Sequence, residues 1–127
     1  MDAYKTHGAF SWNELTTPDP AAAAQFYGQL FGWTSQDMGA EMDHYLSVNL
    51  GETAVGGIMS PPPGTEGMPP HWGAYVTVDN VDQVLEKAAA LGGKVLVPPL
   101  DVPGVGRMAV MQDPQGAVLS LMTYAMP

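Results

Sequence analysis

One acidic residue of this chain lies among apolar side chains on a predicted β-strand. Residues 10–17 alternate as a strand does, and Glu14 shares one face with Phe10, Trp12 and Thr16. Burial disfavours the charged form of a carboxylate and raises its pKa. Glu14 is therefore the candidate general acid or base, or the group that holds a ligand amine or hydroxyl. The alternative is a structural glutamate that binds nearby backbone N–H groups or polar side chains.

Aromatic residues on other predicted strands are candidates for stacking on a ligand. Trp12 and Tyr75 occupy equivalent strands of the two halves of the chain, and Tyr45 opens a further strand. This placement predicts an aromatic or amphipathic ligand between Trp12 and Tyr75. Trp72 has the opposite parity to Tyr75 and is expected to pack on a helix or a partner chain. Core packing is the alternative for any single aromatic residue.

Arg107 is the only arginine of the chain. Its planar guanidinium could bind a carboxylate ligand through two hydrogen bonds, or pair with Glu14. The alternative is an arginine at a strand end whose charged group lies in solvent while its stem packs on the surface.

The composition limits the classes of partner. The net charge is −9 with four basic residues, which predicts neither nucleic-acid nor membrane-surface binding. The absence of cysteine excludes thiolate catalysis and disulfides. Residues 1–8 do not resemble a signal peptide, so a cytoplasmic location is expected. The low charged fraction of 13% suggests surface buried in a homodimer.

The elements that must position these residues repeat along the chain. In the first half, a strand at 10–17 precedes a helix at 21–31, capped by Asp19 and ended by Gly32, and three strands at 33–38, 44–49 and 52–59 follow. The predicted buried stripe of this helix carries Ala23, Phe26, Tyr27, Leu30 and Phe31. Gly56 and Gly57 indicate a bulge or a close approach to the backbone.

The second half has the same order of elements. A strand at 73–78 precedes a helix capped by Asp79 or Asn80, and strands follow at 94–97, 107–112 and 117–124. We predict a single α+β domain with a module at 8–60, a Pro/Gly linker at 61–70 and a module at 71–125. Each module is βαβββ, and the two together would form one cup-shaped mixed sheet.

Three segments carry a resemblance to a known family: FYGQLFGW (26–33), VTVDNVDQVLEKAAALGGKV (76–95) and GRMAVMQDPQGAVLSL (106–121). Together they resemble the vicinal oxygen chelate superfamily, which includes glyoxalase I, extradiol dioxygenases, fosfomycin-resistance enzymes and bleomycin-binding proteins. The run WNELTTPDP…FYGQLFGW (12–33) looks most like an actinobacterial secreted-antigen-like branch, whose members often hold two such domains in tandem. The resemblance implies a single-domain member with a small-molecule site and a tendency to dimerise.

The resemblance also places the metal ligands of the superfamily on four positions of this sequence. They are Trp12, Gly57, Gly73 and Ser120, and none supplies a carboxylate or an imidazole. The expectation is therefore a ligand site without a metal ion or other cofactor, lined by these four residues with Glu14, Tyr45, Tyr75 and Arg107. A metal site shifted along the strands would use Glu14, His44 and His71.

The expected function is binding or sequestration of a small molecule. One alternative is an enzyme of the same superfamily, either a lyase or isomerase with Glu14 as general base or a metalloenzyme that uses the shifted site. Another alternative is a dimeric interaction module whose own side chains fill the cup. The sequence leaves open whether a reaction is catalysed.

Overall fold

The computed structural model describes residues 1–65 and 67–125 and has eight β-strands and two α-helices within them. In chain order these are β1 (Phe10–Thr16), α1 (Pro20–Phe31), β2 (Thr34–Asp37), β3 (Leu46–Leu50), β4 (Thr53–Met59), β5 (His71–Thr77), α2 (Val81–Ala90), β6 (Lys94–Val102), β7 (Gly106–Gln112) and β8 (Val118–Tyr124). They form two compact units. The first unit is residues 13–73, and the second unit is residues 1–12 with the chain from 74 onward.

In the first unit the strand order is β2, β3, β4, β1. The β1 and β4 strands are parallel, whereas the pairs β2–β3 and β3–β4 are antiparallel. Leu15, Val48 and Ile58 are buried on one face and pack against Ala23, Ala24 and Tyr27 of α1. The opposite face of these strands is not used by this core.

In the second unit the order is β5, β8, β7, β6, with β5 parallel to β8. Its core lies between the sheet and α2 and contains Val78, Val81, Leu85, Ala109 and Leu121. Each unit therefore pairs its first strand with its last strand in parallel and covers one face with its helix. The predicted α+β fold of two βαβββ modules is confirmed.

The helix ends follow the predicted capping residues. The Asp19 carboxylate accepts a hydrogen bond from the Ala22 N–H at 3.1 Å, and Gly32 ends α1 with a φ of 76°. Asn80, rather than Asp79, caps α2, because its side chain accepts from the Gln83 N–H at 3.0 Å.

The predicted buried stripe of α1 is partly wrong. Ala23, Ala24 and Tyr27 pack on the sheet, but Phe26, Leu30 and Phe31 are 58%, 57% and 55% exposed. Helical spacing fixes the angle at which a side chain leaves the helix, but it does not fix where the underlying sheet ends. Two alanine side chains and the Tyr27 ring make the contact, and Phe26, Leu30 and Phe31 do not.

Two predicted strands also differ from the structure. The β6 strand runs on to Val102 through Pro98 and Pro99. Proline cannot donate a hydrogen bond to the neighbouring strand, and the β6–β7 register shifts between Val97 and Leu100, where these two prolines lie. The β3 strand begins at Leu46, because Asp43 and His44 before it have φ values of 51° and 57°. The bounds proposed for the two modules within one domain stay a prediction.

A candidate ligand-binding face around Glu14

The face of the first unit that α1 leaves uncovered carries Glu14. The β1–β4 register pairs Glu14 with Gly57 and Leu15 with Ile58. Because side chains alternate across a strand, the burial of Leu15 and Ile58 against α1 directs Glu14 to the other face. Ser47 of β3 is paired with Gly57 from the opposite side. Three neighbouring strands thus place Ser47, Gly57 and Glu14 in one row.

Tyr45 lies over this row. Its hydroxyl donates a hydrogen bond to Glu14 Oε2 at 2.7 Å in a partly buried position. A Cβ at Gly57 would fall on the Tyr45 hydroxyl and ring, so the phenol occupies the space that a larger residue would need. The close approach that the glycines of β4 predict is therefore made by a side chain of the protein itself.

A tight turn aims Tyr45 at the sheet. Asp43 and His44 both adopt left-handed backbone conformations immediately before it. The Tyr45 N–H donates to the Met42 carbonyl at 3.0 Å, and its carbonyl accepts from the Met38 N–H at 2.9 Å. The sequence identified Tyr45 and Glu14 separately as site residues, but it gave no signal that they bind each other.

The two histidines of the shifted metal site bind elsewhere. His44 Nδ1 lies 3.1 Å from both carboxylate oxygens of Asp37, and His71 Nδ1 lies 3.0 Å from the Pro69 carbonyl. The Gly39 N–H, with a smaller contribution from His44, holds the pKa of Asp37 below its usual value.

The described residues do not form a site that fits a divalent metal ion. Over residues 1–65 and 67–125, no three His, Cys, Asp or Glu side chains lie close enough together to hold one. Glu14, His44 and His71 are thus not brought together. Among the positions that the resemblance assigns to metal ligands, Gly57 is covered by the Tyr45 ring. A Cβ at Gly73 would lie 3.9 Å from the Glu14 carbonyl oxygen, which is an ordinary contact.

The second unit holds Trp12, Tyr75 and Ser120. Tyr75 is 6% exposed and is the parallel register partner of Ser120, which is partly buried. Both lie on the face opposite α2, because their neighbours Val76 and Leu121 pack in the α2 core. Trp12 is partly buried. The structure therefore places Tyr75 and Ser120 side by side on this face.

The first residues of the chain also reach this face, which sequence reasoning missed. Thr77 follows Tyr75 on it, and its hydroxyl donates to the Ala3 carbonyl at 2.6 Å. The rings of Tyr4 and Tyr124 meet edge to face with centroids 5.0 Å apart. Residues 1–9 carry no strand-like alternation that could have signalled this contact.

Arg107 lies on the α2 side of the second unit. Its Nε and one terminal nitrogen donate to both Asp82 oxygens at 2.8 and 3.0 Å, and the other terminal nitrogen donates to Asp101 at 3.0 Å. The hydrogen bond to Asp82, and then that to Asp101, raises the pKa of Arg107, and the same pair lowers the pKa of Asp82. The guanidinium joins α2 to β6 and β7, and its partners are acids of the protein.

No helix in the described part of the chain has the length and apolar character needed to cross a membrane.

Comparison with known proteins gives one family and a small group of relatives. Residues 9–121 match the family described as the Glyoxalase/Bleomycin resistance protein/Dioxygenase superfamily. A Mycobacterium tuberculosis protein named "Putative glyoxylase CFP32" is 44% identical over 119 residues, which are 93% of this chain and 45% of that protein. "Anthracycline biosynthesis protein DnrV" of Streptomyces peucetius is 37% identical over 90% of this chain and 46% of its own length. The chain thus spans about half the length of the curated relatives it matches.

The fold is also that of solved structures. Methylmalonyl-CoA epimerase from Mycobacterium tuberculosis superposes with a TM-score of 0.64 at 13% identity, over 94% of this chain and 89% of that one. At this identity the likeness shows the fold alone.

Proposed function

Because the chain belongs to the Glyoxalase/Bleomycin resistance protein/Dioxygenase superfamily, we propose that it binds a small aromatic or amphipathic molecule without a metal ion. The ligand lies on the face that carries Glu14, where the carboxylate and the Tyr45 hydroxyl can bind its polar groups and the Tyr45 ring can contact its rings. The observation that carries this proposal is the 2.7 Å hydrogen bond from Tyr45 to Glu14 over Gly57.

This pair suits the recognition of a hydroxyl or carbonyl group. A carboxylate accepts hydrogen bonds, and a phenol both donates and accepts them. The Tyr45 hydroxyl orients Glu14 and restricts its rotamers, so a ligand that binds there meets an ordered acceptor. The glycine at position 57 leaves the space that the Tyr45 ring needs to reach Glu14.

Aromatic ligands are favoured by the relatives as well as by the residues. One relative is named for anthracycline biosynthesis, and anthracyclines contain a hydroxylated anthraquinone ring system. A suitable probe is 1,4-dihydroxyanthraquinone, because it combines flat rings with hydroxyl and carbonyl groups. At about 100 times its Kd, such a ligand should stabilise the folded protein by about 2.7 kcal/mol. The absence of any thermal shift with hydroxyanthraquinones, aromatic acids or aldehydes would contradict the proposal.

The second candidate function is an enzyme that uses Glu14 as a general base. It is favoured by the same hydrogen bond, since a carboxylate paired with a phenol can remove a proton while the phenol stabilises the developing negative charge. Glu14→Gln separates the two functions. A binding protein should keep its affinity within about tenfold, whereas general-base catalysis should fall by about 10²–10⁴-fold.

We also propose that the protein forms a homodimer. The support is the exposed row of Phe26, Leu30 and Phe31 on α1, each more than half accessible to solvent. Sedimentation equilibrium should give twice the monomer mass, and Phe26→Glu with Leu30→Glu should return it to the monomer mass. A monomer at all concentrations would exclude this assembly.

A further inference from the structure

The first unit has a cavity of about 490 Å³ on the α1 side of its sheet. Its lining includes Asn13, Trp33, Leu50, Val55, Gly56 and Trp72. Asn13 and Gly56 are the immediate neighbours of Glu14 and Gly57, and alternation along the strands directs them to the opposite face. The cavity is therefore separate from the face around Glu14 and lies behind it.

Two tryptophan rings form fixed walls of this cavity. The ring centroids of Trp33 and Trp72 lie 6.2 Å apart at an angle of 75°. The Trp72 indole N–H donates to the Tyr27 hydroxyl at 3.2 Å. Trp33 packs on Tyr27 and Phe31 with centroid distances of 5.7 and 5.0 Å. These contacts order the rings before a ligand arrives, which reduces the entropy lost on binding.

The lining is apolar and open to solvent. Trp72, Leu50 and Val55 are 42%, 55% and 37% exposed. Covering these apolar side chains with a ligand would be favourable, because it removes apolar surface from water. No charged side chain of the described residues lines the cavity, in a chain with a net charge of −9. Asn13 is the polar side chain at its edge, and its amide can donate one hydrogen bond and accept another.

From these features we infer that this cavity is a second small-molecule site, which binds uncharged planar aromatic molecules. Its volume lies within the range of about 300–1,000 Å³ that is usual for ligand pockets. Flat rings can stack on Trp33 or Trp72, and Leu50 and Val55 cover their edges. A charged ligand would lose its hydration without an opposite charge to replace it. The site does not depend on the function proposed for the face around Glu14.

The experiment uses 1-aminoanthracene, a planar aromatic probe that is uncharged at pH 7. Because its amine could also donate a hydrogen bond to Glu14, the Glu14→Gln variant is measured alongside the wild type. Titration into the protein should give saturable binding of one molecule per chain, with energy transfer from tryptophan to the probe. Trp72→Ala should weaken binding at least tenfold, and Val55→Glu should weaken it similarly by placing a charge in the lining. Trp72→Phe keeps an aromatic ring in the cavity wall, so it should lose less affinity for the probe than Trp72→Ala.

Two controls locate the bound probe. Phe10→Ala removes an exposed aromatic side chain of the second unit, outside the lining and outside the exposed row on α1, and should leave the Kd within twofold. Glu14→Gln should also leave the Kd of the probe unchanged.

Three results would overturn the inference. The first is no saturable binding of the probe. The second is binding that Glu14→Gln weakens and Trp72→Ala does not. The third is a dimer that Trp72→Ala dissociates, because a second copy of the chain would then cover this cavity. If Val55→Glu does not fold, as judged by circular dichroism, the comparison of Trp72→Ala with Trp72→Phe decides.

Discussion

The hydroxyl of Tyr45 donates a hydrogen bond to Glu14 Oε2 across 2.7 Å, although 31 positions separate the two residues. The bond forms because the left-handed turn at Asp43 and His44 returns the chain over the sheet. Gly57 leaves space for the phenol ring at that point. Ordering the Glu14 carboxylate therefore requires the turn before Tyr45, the glycine at position 57 and the parallel register that sets Glu14 beside Gly57.

Tyr45→Phe should keep the ring over Gly57 and remove only the donor to Glu14. We expect the free energy of unfolding to fall by about 1–2 kcal/mol, because a partly buried carboxylate loses a hydrogen bond. Urea denaturation followed by circular dichroism measures this change. Tyr4→Phe is the matched control, because no hydrogen bond of the Tyr4 hydroxyl is found among the described residues. Equal effects of the two variants would show that the bond to Glu14 contributes no stability.

Gly57→Ala should destabilise the first unit by about 1–3 kcal/mol, because the new methyl group would overlap the Tyr45 ring. Adding Tyr45→Ala should recover part of the loss, and a double-mutant cycle by chemical denaturation measures the coupling. Gly67→Ala is the control, since no atom lies within 4 Å of a Cβ there. Additive effects at 57 and 45 would contradict the close contact.

Arg107→Gln should lower the melting temperature and leave the affinity for 1,4-dihydroxyanthraquinone unchanged, because Arg107 binds Asp82 and Asp101. The hydrogen bonds from Arg107 hold the pKa of the Asp82 carboxyl in the folded state below its usual value of about 3.8. The pair thus stabilises the folded state above that pH and loses its effect as the pH falls through the lower folded value.

The difference in melting temperature between wild type and Arg107→Gln should accordingly stay constant from about pH 7 to 5 and shrink below about pH 4. A large loss of ligand affinity in this variant would instead place Arg107 in the binding site.

Removal of metal ions should change neither stability nor ligand binding. We expect protein purified without chelator to hold far less than one equivalent of zinc, iron, nickel or manganese by elemental analysis. Dialysis against EDTA should leave the melting temperature unchanged, because the donor groups at Trp12, Gly57, Gly73 and Ser120 do not fit such ions. The metal-independent proposal would be contradicted if the protein held a stoichiometric metal ion, and if removing that ion with EDTA abolished the thermal shift caused by the ligand.

Much of the fold could be predicted because its signals are local. The capping residues Asp19 and Asn80 and the αL glycine Gly32 act within one helical turn, so their sequence positions fix the helix ends. Strand alternation likewise placed Glu14 on the face opposite Leu15. The errors arose where long-range packing decides, as for Phe26 and Leu30, which have helical spacing but no sheet beneath them.

The sequence by itself determined the order of elements in each module, their repetition, and the residue types that argue against a metal site. Those features depend on short-range backbone preferences and side-chain chemistry. Only the tertiary structure decided the partners of the site residues: Glu14 with Tyr45, and Arg107 with Asp82 and Asp101. It also decided that Trp33 and Trp72 share a cavity. Such contacts depend on register and chain path over tens of residues, which no local pattern encodes.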